Sequence, residues 1–150
     1  MVRLFHYCCT HSYQAIAQTW QVKPVSMLVG DIMARVPDHP LPPLFDLAWF
    51  TDMEVPDRQA LGLTSRLIKC DRTERRLTVL TPWKCQTWRA WSMEHLERRQ
   101  QHIARELLTG DPSRWWVSPV PVPVAPPSDE RPVRPSRSGL AHHSEHLRRR

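Results

Sequence analysis

Apolar residues crowd the start of the chain. Leu4, Phe5, Tyr7 and Cys8 run together with one polar interruption, His6. Aromatic and apolar residues packed this closely predict a buried strand. The period then changes. Tyr13, Ile16, Ala17 and Trp20 fall at i, i+3, i+4 and i+7, the spacing of one helix face. Thr10 or Ser12 can cap that helix by accepting a hydrogen bond from a free amide in its first turn.

After Trp20 the pattern lapses. Val25 to Val36 reads either as two short strands around Gly30-Asp31 or as a loop with apolar side chains. Pro37, Pro40, Pro42 and Pro43 then enforce an extended loop, because proline fixes φ and lacks an amide donor. Phe45 to Met53 restores an alternation. Leu47, Trp49 and Thr51 share one face of a strand; Ala48, Phe50 and Asp52 share the other. Asp57 to Gly62 predicts a single helical turn stopped by its glycine. Leu67 to Cys70 and Arg75 to Thr81 predict two strands around the turn Asp71-Arg72-Thr73-Glu74, a hairpin.

Thr87 to Leu108 predicts the longest helix. Its apolar stripe is broken: Trp88, Trp91, His95 or Leu96, Ile103 and Leu107. Gly110 and Pro112 stop it. Arg114 to Ser118 predicts a last strand. From Pro119 proline occupies every second position, which forbids a central strand and predicts polyproline-like or disordered chain. The expected organisation is one α+β domain over 1–118 and a Pro/Arg-rich disordered tail over 119–150. The domain is expected to have an antiparallel β-sheet, a short N-terminal helix and one long C-terminal helix.

Charge changes this picture little. The chain has 150 residues and a net charge of +6. From Pro119 onward six arginines face three acids, so half of that excess lies in the tail. A mildly basic body argues against a nucleic-acid surface, which concentrates positive charge on one face. Arginine far outnumbers lysine, a bias of GC-rich genomes. Cys8, Cys9, Cys70 and Cys85 show no disulfide framework, and no signal peptide precedes them. This predicts free thiols in a reducing cytoplasm. No apolar run approaches the ~20 residues that cross a bilayer.

His6 is the oddest choice in the first strand. It reads either as a ligand-binding histidine or as a core histidine bonded to a carbonyl. Trp49, Phe50 and Thr51 offer faces and a hydroxyl to a flat ring, or simply fill an aromatic core. Arg72 or Arg76 in the charged turn could hold a phosphate, or could be solvated. Cys8, Cys9, His11, Cys70 and Cys85 lack the paired spacing of structural zinc, so no metal site is expected. No phosphate loop or nucleophile elbow is present.

The opening LFHYCCTHSYQAI resembles the first strand and helix of the ADP-ribosyltransferase superfamily, closest to its small H-Y toxin branch. Residues 2–118 also resemble a group of small proteins of actinobacteria and their phages. The shared segments are Trp49-Phe50-Thr51-Asp52, Gly62-Leu63-Thr64, Cys70-Asp71-Arg72-Thr73 and Trp115-Trp116-Val117-Ser118. The resemblance implies an ADP-ribosyltransferase-like split sheet and NAD as cofactor. It implies that His6, beside Tyr7, holds the adenosine-side ribose. Trp49, Phe50 and Thr51 are the candidates for supporting the nicotinamide side. The family's late-strand acid has no counterpart between Trp115 and Pro121. Asp52, Glu54 or Glu74 would have to substitute, and Glu74 is the candidate. The implied activity is transfer of ADP-ribose to a macromolecule. The alternative is a non-catalytic phage-type accessory protein that engages a host protein or nucleic acid through its aromatic body and basic tail.

Overall fold

A computed structural model describes residues 1–24, 46–64 and 70–127. The stretch 25–36, read as strands or a loop, the proline loop at 37–43, residues 67–69 of the predicted Leu67–Cys70 strand, and the tail beyond 127 lie outside the described residues.

Five strands form one antiparallel sheet. β1 is Phe5–Cys8 and β2, outside this sheet, is Gln21–Val22; β3 is Ala48–Thr51 and β4 is Arg75–Thr78. β5 is Gln86–Thr87, β6 is Trp115–Ser118 and β7 is Val122–Pro123. The sheet order is β4-β1-β3-β6-β5, and β2 pairs with β7 in a second, two-stranded ladder. The alternation read from the sequence sorts side chains to two faces. Ala48 and Phe50 of β3 join Leu4, Cys8, Leu77 and Val79 in one core cluster. Leu47 and the half-buried Trp49 join Trp115 and Val117 in the other.

The first face is covered by α1, Thr10–Ile16, and by the small ladder. Tyr13, Ile16 and Trp20 pack on it, as their spacing predicted. The helix itself ends at Ile16, and the chain turns through a left-handed Trp20, φ 51°. Neither Thr10 nor Ser12 caps it. Cys9 occupies the cap position without a side-chain cap bond, and the Glu74 carboxylate accepts from the Thr10 amide and hydroxyl, both at 2.8 Å.

The second face is covered by two helices, α2 over Trp88–His95 and α3 over Arg98–Leu107. One continuous helix was expected. The chain instead breaks at Leu96 and Glu97, both extended. Two local causes favour the break. Leu96 turns into the core at 5% exposure. Gln100 then caps the new helix, its side-chain oxygen accepting from the Glu97 amide at 2.9 Å.

The folded body also continues past its expected end at Ser118. The buried Ser118 hydroxyl donates to the Val120 carbonyl at 2.9 Å and reverses the chain. Val122 and Val124 are then 0% and 1% exposed in the first core. Proline does not prevent this ladder, because valines and prolines alternate. The Val124 amide donates to Trp20 at 3.0 Å. On the other side, Leu80 donates to the Pro123 carbonyl at 3.0 Å and Ala125 to Thr78 at 2.9 Å. Pro123 takes part through its carbonyl, since it has no amide to donate.

Candidate functional site

β1 lies between β4 and β3 but is joined to them unequally. Four residue pairs, Phe5–Thr78 to Cys8–Arg75, zip it to β4. One pair alone, Phe5–Thr51, joins it to β3. Beyond that pair the two strands part, and a carbonyl of β3 is left needing a donor. His6 supplies it. Its Nδ1–H donates to the Trp49 carbonyl oxygen at 2.8 Å. A carbonyl can only accept, so the bond fixes the proton on Nδ1 and leaves Nε2 as an acceptor.

Three influences set the charge of the imidazole. Burial pushes the His6 pKa down, the Trp49 carbonyl opposes this, and the Arg72 guanidinium adds a further downward push. The net shift is downward, so the ring is neutral at pH 7. Phe50 meets it edge-on, with ring centroids 5.8 Å apart. Arg72 comes from the turn before β4. Its Nε is buried with no hydrogen-bond partner. Where β1 and β3 part, the neutral His6 imidazole therefore lies within the electrostatic reach of Arg72.

The other predicted site residues divide. Phe50 shares the His6 face, but Trp49 and Thr51 point to the opposite one, as strand alternation requires. The Trp49 ring packs on Trp88 at 5.2 Å and on Trp115 at 5.8 Å. Thr51 is 2% exposed and accepts from the Met53 amide. Tyr7 is also buried; its hydroxyl lies 2.8 Å from the Met53 carbonyl and 2.7 Å from that of Glu54, and it fastens the loop after β3. Only the main chain of Trp49 reaches His6.

The carboxylates have their own partners. Thr10 hydrogen bonds pull the exposed Glu74 carboxyl below its ordinary range, and these same bonds tie the turn to α1. Asp52 pairs with Arg114 at 2.8 Å. Glu54 pairs with Arg3 at 3.5 Å. Asp71 folds its own turn by accepting from the Thr73 hydroxyl at 2.6 Å.

One cluster was not foreseen. Cys9 and Cys70 influence each other's ionisation, and Arg72 influences that of Cys70. Burial pushes the Cys9 thiol up, but Ser12, Cys70 and the His11 amide outweigh it and lower the net pKa. Cys70 shifts the other way, chiefly through Cys9. Cys8 and Cys85 are ordinary buried thiols, pushed up by burial to about 12 and about 11. Among the described residues no group of three or more His, Cys, Asp or Glu could hold a metal ion.

The aromatic body is turned mostly inward. Trp49, Trp88, Trp91 and Trp115 pack together, and Trp83 alone among the described tryptophans is largely exposed, at 71%. No helix among the described residues is long and apolar enough to cross a membrane. Compared with known proteins, the chain matches no family model, no curated relative and no solved structure.

Proposed function

We propose that this α+β domain binds NAD or a closely related nucleotide at the opening between β1 and β3, in an ADP-ribosyltransferase-like arrangement. The observation that carries this reading is the 2.8 Å bond from His6 Nδ1 to the Trp49 carbonyl. It fixes a neutral imidazole with Nε2 free to accept from a ribose hydroxyl. The Nε–H of Arg72, buried without a partner, supplies the complementary donor for a phosphate oxygen. Phe50 offers an apolar edge beside the imidazole. These groups fit a ligand that carries hydroxyls and phosphate together.

When bound, NAD supplies an ADP-ribosyl group attached to a good leaving group. Transfer of that group to a macromolecule requires a carboxylate near the reacting ribose. Glu74 is the candidate substitute for the family's late-strand acid, whose position it does not match, and its carboxylate is engaged by Thr10. Catalysis on this reading requires Glu74 to leave Thr10.

The test is a thermal-shift series on the full chain with NAD, ADP-ribose and nicotinamide riboside. Binding to the folded state alone adds RT ln(1 + [L]/Kd), about 2.7 kcal/mol at a hundredfold excess over Kd. NAD and ADP-ribose are expected to raise Tm, and the riboside, which lacks the phosphates, to raise it less. Equal shifts from all three, or none from any, would count against the proposal.

A further inference from the structure

We propose that the two loops carrying Leu80, Trp83 and Val120 form a docking surface for anionic phospholipid membranes. This is independent of the nucleotide reading.

Two pairings bring the loops together. Val79 bridges Val124, and Gln86 of β5 pairs with Val117 of β6. Both pairs belong to one antiparallel register, so residues 80–85 and 118–123 part from each other and rejoin at two fixed points. Between these clamps the side chains divide. Pro82, Cys85, Ser118 and Val122 are buried. Leu80, Trp83, Lys84, Pro119, Val120 and Pro121 are exposed. Leu80 keeps 52% of its surface in solvent, Trp83 71% and Val120 47%, although all three are large and apolar. Exposed apolar side chains gathered in one place mark an interaction surface.

Three features favour lipid as the occupant. The first is hydrogen bonding, because an amide without an acceptor is costly to carry out of water. Pro82, Pro119, Pro121 and Pro123 have no amide to dehydrate. The Leu80 amide donates to the Pro123 carbonyl, that of Lys84 to Thr81 and that of Cys85 to Pro82, each at 3.0 Å. The Val120 amide donates to the Ser118 hydroxyl at 3.2 Å. The second is Trp83 itself. An indole suits the headgroup level, where its ring is in apolar surroundings and its N–H stays wet. The third is charge. Neither loop contains Asp or Glu, and Lys84 is their one charged residue. Its stem can lie along the apolar surface while the ammonium reaches a lipid phosphate. Residues 128–150 add six arginines against three acids. Inserted apolar groups and positive charge are the two signals that together hold a protein on an anionic surface.

The experiment sediments the full chain with sucrose-loaded vesicles. One set mixes phosphatidylcholine with phosphatidylglycerol, and a second is phosphatidylcholine alone. A third repeats the anionic mixture with brominated acyl chains, which quench tryptophans that enter the bilayer. The wild type is expected to pellet with the anionic set, at least about tenfold more weakly with the neutral set, and to be quenched by the brominated lipid. Trp83 lies outside both core clusters, so Trp83→Ala is expected to stay folded. It should bind the anionic set at least about tenfold more weakly and lose the quenching. A wild type that binds neither set, binds both equally, or binds without quenching would overturn the proposal, as would equal binding by Trp83→Ala. A wild type that self-associates without binding vesicles, beside a monomeric Trp83→Ala, would overturn it too and assign the surface to a second copy of the chain.

Discussion

His6 donates from Nδ1 to the carbonyl oxygen of Trp49 at 2.8 Å, at the point where β1 and β3 part. The bond does what the missing ladder pairs would have done. It satisfies a strand carbonyl and leaves the ring's other nitrogen as an acceptor. His6→Ala removes the donor and leaves that carbonyl unpaired. An unsatisfied buried polar group costs about 1–3 kcal/mol. Urea unfolding of the variant is expected to show a loss in this range, and an unchanged midpoint would mean that the bond contributes nothing.

The same histidine gives the fold an acid sensitivity. Its folded pKa lies below the ordinary 6.5, chiefly through burial and with a contribution from Arg72. The unfolded chain therefore binds the proton more readily. The associated stability is fully present above about 6.5 and is lost as pH falls through the lower, folded value. Unfolding free energies between pH 7.5 and 5 are expected to decline in the wild type. The decline should shrink in His6→Phe, which cannot titrate. Equal declines in both proteins would assign the effect to other groups.

The proline-rich segment is part of the body. Val122 and Val124 are 0% and 1% exposed in the first core. Truncating either to alanine removes two buried carbons, costing about 2 kcal/mol by transfer, with a cavity term added. A chain ending at Ser118 is expected to lose cooperative unfolding, and one ending at Pro127 to retain it. A cooperative transition with full helical signal in the shorter chain would contradict the packing described here.

Gly110 sets the join between the turn after β3 and the end of α3. Its φ is +109°, and an added Cβ would lie 2.5 Å from the Ala60 carbonyl oxygen and 2.7 Å from the Gly62 nitrogen. Both obstacles are backbone and cannot swing aside. Gly110→Ala is expected to destabilise by more than the ~1 kcal/mol of a simple glycine effect, read as a fall in Tm. A neutral result would show that the two segments can separate freely.

Much of this was legible because it rests on local period. The alternation from Leu47 to Phe50 and the helical spacing from Tyr13 to Trp20 each name a buried face, and the core uses those faces. The break after His95 was hidden because Leu96 fits a helical stripe as well as it fits an inward-turned linker. Its signal was the Glu97–Gln100 spacing, a capping pair in the middle of an apparent helix. β7 was hidden by the opposite error. Proline was read as excluding a strand, although valine at every second position kept the donors on one side. In the site, His6 was singled out by its type alone. Its partner could not be read, because Trp49 contributes a carbonyl rather than its ring. The split of Trp49 and Thr51 from Phe50 followed from alternation, and treating the three as one ligand surface overlooked it.

The most direct measurement is isothermal titration of NAD into the full chain, beside Arg72→Ala and His6→Ala. Arg72→Ala removes the unpartnered buried donor but no described core contact, so it is the variant expected to stay folded. A saturable one-to-one heat for the wild type, weakened at least tenfold by Arg72→Ala, is the predicted result; tenfold corresponds to about 1.4 kcal/mol. Absence of heat with the folded wild type, or equal affinity in Arg72→Ala and a folded His6→Ala, would contradict a nucleotide site between β1 and β3.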